Sequence, residues 1–125
     1  LFVHPGAAGQ QLVVTWPNLP RTSDAGPAWL YVRAGPSLEA VRHPEGKEVA
    51  IEVVVDGQTV DRFALDPRRF WIERRAIRMP AGAEEASVTF RVTCEEPGWR
   101  ETMLEADVFA RLPDALRAWA TAIVE

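Results

Sequence analysis

The stretch from Ala86 to Cys94 leaves this chain little choice of local structure. Ala86, Val88, Phe90, Val92 and Cys94 alternate with Ser87, Thr89, Arg91 and Thr93. A period of two places the first set on one face of a β-strand and the second on the other, whereas a helix would scatter both sets around its circumference. Upstream, Val49 to Val55 and Thr59 to Leu65 are rich in β-branched residues and flank Asp56-Gly57, a pair suited to the positive φ angles of a hairpin turn. Short strands divided by turn residues in this rhythm predict two antiparallel sheets packed face to face.

The remaining strands follow from the same punctuation. Leu1 to Val3 is closed by Pro5 and Gly6; Gln11 to Trp16, with Leu12, Val14 and Trp16 on one face, is ended by Pro17. Asn18 to Pro27 reads as a loop before a strand from Ala28 to Arg33, and Gly35 to Gly46 as another loop. Phe70 to Met79 is long enough for one strand, but its apolar residues change phase between Ile72 and Ile77, which predicts a bulge or bend. Pro80-Ala81-Gly82-Ala83 marks a turn, and Met103 to Arg111 supplies a last strand. In the central hairpin a two-residue turn would set Glu52 against Asp61. A three-residue loop ending at Gly57 avoids that like-charge pair and brings Phe63 onto the face of Ile51 and Val53, so the second register is expected.

After Pro113 and Asp114 the spacing changes, with Leu116, Trp119, Ala120 and Ile123 along one helical stripe. The expectation is therefore an all-β chain: an antiparallel two-sheet, jelly-roll-like sandwich of about eight strands over residues 1–112. Residues 113–125 are expected as a short C-terminal amphipathic helix or a linker to a neighbouring domain.

A chain of 125 residues, 47% hydrophobic and 26% charged, is of a size and composition that builds one core without staples. Its formal charge of -4 opposes binding to polyanions, so nucleic acid is not an expected partner. Cys94 is the only cysteine, which excludes an intrachain disulfide and a site built from several thiolates. No apolar run reaches the ~18 residues of a membrane-spanning helix. Leu1-Phe2-Val3-His4-Pro5 lacks the charged start of a signal peptide, and a chain opening without Met is expected to be a mature product or a piece of a longer protein.

Taken in order, the LFVHP opening, the VAIEVVVDGQTV hairpin, the FWIERRAIRMPAGA strand and turn, VTFRV and the closing LEADVFA resemble the galactose-binding-like jelly-roll family of bacterial β-sandwich domains across about residues 1–111. VDG hairpins and PAGA turns also occur in fibronectin-like and immunoglobulin-like sandwiches. Many members of the resembled family accompany carbohydrate-active enzymes or membrane glycosyltransferases. The resemblance thus implies a non-catalytic glycan-binding accessory module of a larger, bacterial, extracytoplasmic protein, with a saccharide or a neighbouring domain as partner. The alternative is a structural or protein-interaction sandwich that mediates assembly.

Sugar binding needs an exposed aromatic platform flanked by fixed polar groups. Trp99, within Glu95-Glu96-Pro97-Gly98-Trp99-Arg100-Glu101, meets that description, with Arg100, Glu96 and Glu101 as hydroxyl partners, together with the Asn18 to Pro27 segment. The bland counterpart is a Trp99 folded over the end of the sandwich. Trp16, Trp29 and Trp71 fall inside expected strands and read as core or sheet packing. Alternation sends Arg74 and Arg75 to opposite faces, and Glu73 offers a counter-charge, so the basic group with Arg68, Arg69 and Arg78 reads as an ion-paired surface rather than an anion site. Glu95, Glu96, Glu101, Glu105 and Asp107 lack the spacing of a calcium loop, and neither a metal nor another cofactor is expected. His4 and His43 each precede a proline and mark the ends of extended segments; Cys94 is expected in the core, and no catalytic residue is assigned.

Overall fold

The computed structural model describes residues 1–3, 10–20, 22–23, 26–42, 47–66, 69–80, 82, 84–95 and 101–119. Its strands are β1 (Phe2–Val3), β2 (Leu12–Pro20), β3 (Thr22–Ser23), β4 (Gly26–Pro27), β5 (Trp29–Pro36), β6 (Val49–Val55), β7 (Gln58–Leu65), β8 (Glu73–Arg78), β9 (Glu85–Thr93) and β10 (Thr102–Phe109). One sheet has the order β1-β10-β5-β8 and the other β2-β9-β6-β7, while β3 and β4 form a separate ribbon. Setting that ribbon aside, the eight strands pair in a nested series: first with last (β1 with β10), second with seventh (β2 with β9), third with sixth (β5 with β8) and fourth with fifth (β6 with β7). This is the antiparallel winding of a jelly roll.

Both sheets surrender one face to a shared core. Leu30, Val32 and Ala34 on β5, Ile77 on β8 and Leu104 on β10 meet Ile51, Val53 and Val55 on β6 and Val88, Phe90 and Val92 on β9. Phe90 is fully buried and receives the edge of Trp16, with ring centres 5.2 Å apart and planes at 83°. The face of Leu12, Val14 and Trp16 packs onto this core, and buried Cys94 closes one end of it, as the alternation requires.

The central hairpin satisfies two demands at once. Asp56 and Gly57, with φ of 47° and 82°, form a two-residue turn in which Val55 faces Gln58, rather than the expected three-residue loop. A register shift between Val53 and Val54 then absorbs one residue. Beyond it Glu52 faces Arg62, Asp61 faces Val53 and Phe63 faces Ile51, so the like-charge pair is avoided by a bulge rather than by a longer turn. A second shift, between Trp16 and Leu19 around Asn18 at φ 60°, carries β2 on to Pro20, into the stretch expected to be a loop.

Two other elements differ from the sequence expectation. β8 pairs with β5 without a register shift, because the strand begins at Glu73 and leaves Phe70, Trp71 and Ile72 outside it; the phase change marks a strand boundary, not a bulge. At the C-terminus, Asp114–Trp119 form a 3-10 helix, whose first bond runs from the Leu116 amide to the Pro113 carbonyl at 2.9 Å. Leu112 and Leu116 pack with Tyr31, Ala76, Trp29 and Phe109 on the outer face of the first sheet. The Trp119 side chain and residues 120–125 lie outside the described residues, and so do His4 and His43. Among the described residues no helix is long and apolar enough to cross a membrane.

Because Phe90 joins both sheets, Phe90→Ala is expected to cost about 3 to 5 kcal/mol in urea unfolding. A loss below about 1 kcal/mol would place Phe90 outside the shared core.

Candidate functional site

The winding sorts the connections between the two ends of the sandwich. Register pairs Ala34 with Glu73, Pro36 with Thr102, Leu65 with Val49 and Thr93 with Ala50. The connections leaving β1, β5, β7 and β9 therefore start from one end. Pairing of Pro20 with Glu85 and Trp29 with Phe109 puts the C-terminal end of β2 and the N-terminal end of β5 at the other. Thr93 and Thr102 thus lie at the same end as Leu65 and Glu73, which flank the crossing from β7 to β8.

That crossing carries the most exposed aromatic surface among the described residues. Phe70 is 61% and Trp71 52% exposed. Gly35 on β5 makes the arrangement possible: a Cβ there would lie 2.8 Å from Ile72 Cδ1 and 2.9 Å from the Trp71 carbonyl oxygen. Only a residue without a side chain lets the Trp71-Ile72 backbone cross so close to the strand. The expectation that Trp71 packs as a strand residue is therefore corrected, since the strand starts two residues later and the side chain is half exposed.

Trp71 forms a wall of two adjoining depressions. The first, of about 290 Å³, is lined by Pro36, Ala64, Leu65, Asp66, Arg69, Trp71 and Glu73. The second, of about 330 Å³, is lined by Phe70, Trp71, Ile72 and Arg74. The Arg69 guanidinium lies over the indole, 5.8 Å from the ring centre, a cation–π contact that biases the ring toward one orientation. An aromatic plate with carboxylates on one side and guanidinium groups nearby can hold a ring whose faces are apolar and whose rim is hydroxylated.

Behind this plate the two sheets are tied by charge. Arg75 points inward from β8, opposite in sense to Arg74, and its Nε lies 3.2 Å from Asp61 Oδ2 on β7 while Nη1 lies 2.6 Å from Glu73 Oε1. The contact to Asp61 is an ion pair whose alignment falls short of a hydrogen bond. Phe63 lies beneath the same guanidinium, 5.1 Å from its ring centre. Removing one partner of such a half-buried set strands the others, so these groups fix the edge of the sandwich from which the Trp71 crossing departs.

A second charged cluster occupies the outer face of the other sheet. Glu52 accepts hydrogen bonds from Arg91 Nη1 at 2.8 Å, Arg62 Nε at 3.0 Å and Thr59 Oγ1 at 3.2 Å. Desolvation pushes its carboxyl pKa up, but the bonds from Arg62, Arg91 and Thr59 outweigh it and hold the group below the ordinary carboxylate value. Glu52, Arg62 and Arg91 border a shallow hollow of about 320 Å³, and their ion pairs link three strands, which reads as sheet cross-bracing.

Of the candidates taken from the sequence, Glu96, Trp99 and Arg100 lie outside the described residues. Glu101 is exposed at the Trp71 end, where its carbonyl accepts the Ser37 amide at 2.9 Å and Ser37 Oγ in turn caps the helical turn Leu38–Arg42 through the Ala40 amide at 3.1 Å. Glu105 pairs with Arg33 on the outer face of the first sheet, and Asp107, two residues further along the same strand, is exposed. No protein-family model and no curated protein sequence matches the chain, so its function is argued from the geometry of this end.

Gly35→Ala is expected to force the Trp71-Ile72 crossing off the strand, costing about 1 to 3 kcal/mol in urea unfolding and shifting the tryptophan emission. Unchanged stability and emission would mean that the crossing yields freely. For Glu52 the folded pKa is depressed, so its contribution is present above the unfolded carboxylate value and is lost as pH falls through the folded one. The melting-temperature difference between wild type and Glu52→Gln is therefore expected to be largest near neutral pH and to shrink below the carboxylate range; a difference independent of pH contradicts the assignment.

Proposed function

We propose that this chain is a non-catalytic glycan-binding accessory module, as its resemblance to galactose-binding-like jelly rolls implies, and that it works outside the cytoplasm beside a larger carbohydrate-active or cell-surface protein. The single observation that carries the reading is Trp71, half out in solvent between two depressions and steadied by Arg69 and the Gly35 crossing. Its indole offers a stacking surface for the apolar face of a sugar ring, with polar side chains lining the depression beside it. The depressions lie at the small end of the ~300 to 1,000 Å³ range of ligand sites, which suits a ring lying across the surface rather than a ligand enclosed by it. Asp61 and Glu73 are both committed to Arg75, a poor starting point for the acid and base of glycoside hydrolysis. Trp99, Arg100, Glu96 and Glu101, the candidates read from the sequence, are proposed as further contacts.

The alternative, a protein-interaction sandwich, draws on the same exposure of Phe70 and Trp71, because adjoining exposed aromatics also suit a protein partner. A glycan array followed by calorimetry decides between them. Trp71→Ala is expected to weaken saccharide binding by at least about tenfold, the loss of one aromatic stacking contact, while leaving the melting temperature nearly unchanged. An array on which the wild type finds no ligand overturns the glycan reading and assigns the aromatic surface to a protein partner.

A further inference from the structure

The outer face of the second sheet carries a charged row and, beside it, a row of small residues. Across β9, β6 and β7 the register sets Arg91, Glu52 and Arg62 in line, and two residues along the strands it sets Thr93, Ala50 and Ala64 in line. Alternation turns Ala50 and Glu52 outward while Val49, Ile51 and Val53 go to the core. Two alanines side by side make a low floor beneath longer neighbours, and the hollow of about 320 Å³ lies there. Among the described residues its charged lining is Glu52, Arg62 and Arg91 alone. Glu52 takes Arg91 Nη1 on Oε1 and Arg62 Nε on Oε2, one nitrogen from each guanidinium. Neither arginine side chain has a further hydrogen bond or ion pair among the described residues, and Asp61, the carboxylate of β7, is turned to Arg75. Two guanidinium groups against one carboxylate leave one positive charge at the wall of the hollow, with N–H donors to spare on both arginines.

We propose that this hollow binds a small organic carboxylate with a flat apolar body, the carboxylate bridging Arg62 and Arg91 and the body lying on Ala50 and Ala64. The two guanidinium groups are spaced for such a ligand, since the two oxygens of one planar carboxylate, that of Glu52, already reach both. The fork of N–H groups on each arginine favours a carboxylate through charge-assisted bonds. The alanine methyls give an aromatic ring a surface to cover, which an inorganic anion leaves unused. The overall charge of -4 works against attraction at a distance, so binding arises from contact and is weakened by salt. This site goes beyond the glycan-binding reading and does not rest on it.

The experiment is NMR titration of the whole chain, followed at the arginine Nε–H signals, with benzoate, its neutral counterpart benzamide, acetate and inorganic phosphate as probes. Benzoate is expected to shift the Arg62 and Arg91 signals and to bind about tenfold tighter than benzamide, the gain from a charge-assisted contact, and tighter than acetate by a similar factor for the covered ring. The phosphate arm tells a plain anion site from one that also holds an apolar body. Arg62→Gln, at a side chain 72% exposed, is expected to weaken benzoate about tenfold. Ala50→Leu fills the floor on the solvent side of the sheet and is expected to weaken benzoate by a similar factor with both ion pairs to Glu52 left in place. The comparison of probes on the wild type holds even if a variant fails to fold. Benzamide, acetate or phosphate bound as tightly as benzoate, arginine signals that benzoate leaves unmoved, or full affinity in both folded variants overturns the proposal.

Discussion

Burial of two apolar sheet faces against each other is the interaction on which the rest of this molecule depends. Each strand of the nested winding gives alternate side chains to one core, and Phe90, meeting Trp16 edge-on beneath β6 and β5, lies at its centre. Once the inward set is fixed, the outward set has no freedom, because a slip of one residue would exchange the faces of the entire strand. The bulge in the β6–β7 hairpin shows how firmly the constraint is held: the chain takes the tightest turn available to Asp56-Gly57 and then spends an extra residue to keep Phe63 and Leu65 facing the core. Charges follow the same rule. Where β7 and β8 leave the sandwich open at its edge, Asp61, Glu73 and Arg75 meet in the gap, and Phe63 covers the guanidinium from below.

The site is a product of the winding as much as of its residues. A chain passing from the edge of one sheet to the edge of the other must cover the gap between them, and of the residues that do so, 66 and 69–72 belong to no strand of either sheet. Aromatic side chains placed there project from the scaffold while their backbone is held against Gly35. In the proposed binding role, strands on both sides of Trp71 would give a plate that needs little ordering when a ligand arrives, which conserves affinity that a flexible loop would lose.

Strand alternation made most of the fold legible in the sequence. Ala86 to Cys94 could only be a half-buried strand, and Asp56-Gly57 placed the hairpin tip. The bulge at the hairpin was not legible as such, since two register solutions satisfied different pairs and only the assembled sheet shows both in use. Trp71 was misplaced for a physical reason: Phe70-Trp71-Ile72 is an apolar, β-prone run that abuts a true strand, and propensity does not mark where pairing begins. The signal that separates them was present in the phase break between Ile72 and Ile77, together with the turn residues Asp66-Pro67 just before. The C-terminal segment had the right apolar residues and the wrong pitch, because contact of Leu112 and Leu116 with Tyr31 and Ala76 sets its path more than its own periodicity does.

Cys94 adds a temporal dimension to this architecture. Its thiol is buried where β9 ends and bonds to the Lys47 carbonyl at 3.6 Å, just before β6 begins, so it sits at the seam of two central strands. A reagent reaches that sulfur only when the seam parts. As the single thiol of the chain, it makes the molecule its own clock: the rate at which alkylation proceeds in native buffer counts openings of the β6–β9 seam at the end that carries Trp71. A ligand that binds across that end slows the count by holding the seam shut, whereas one that rests on the opposite end leaves it running at its native pace.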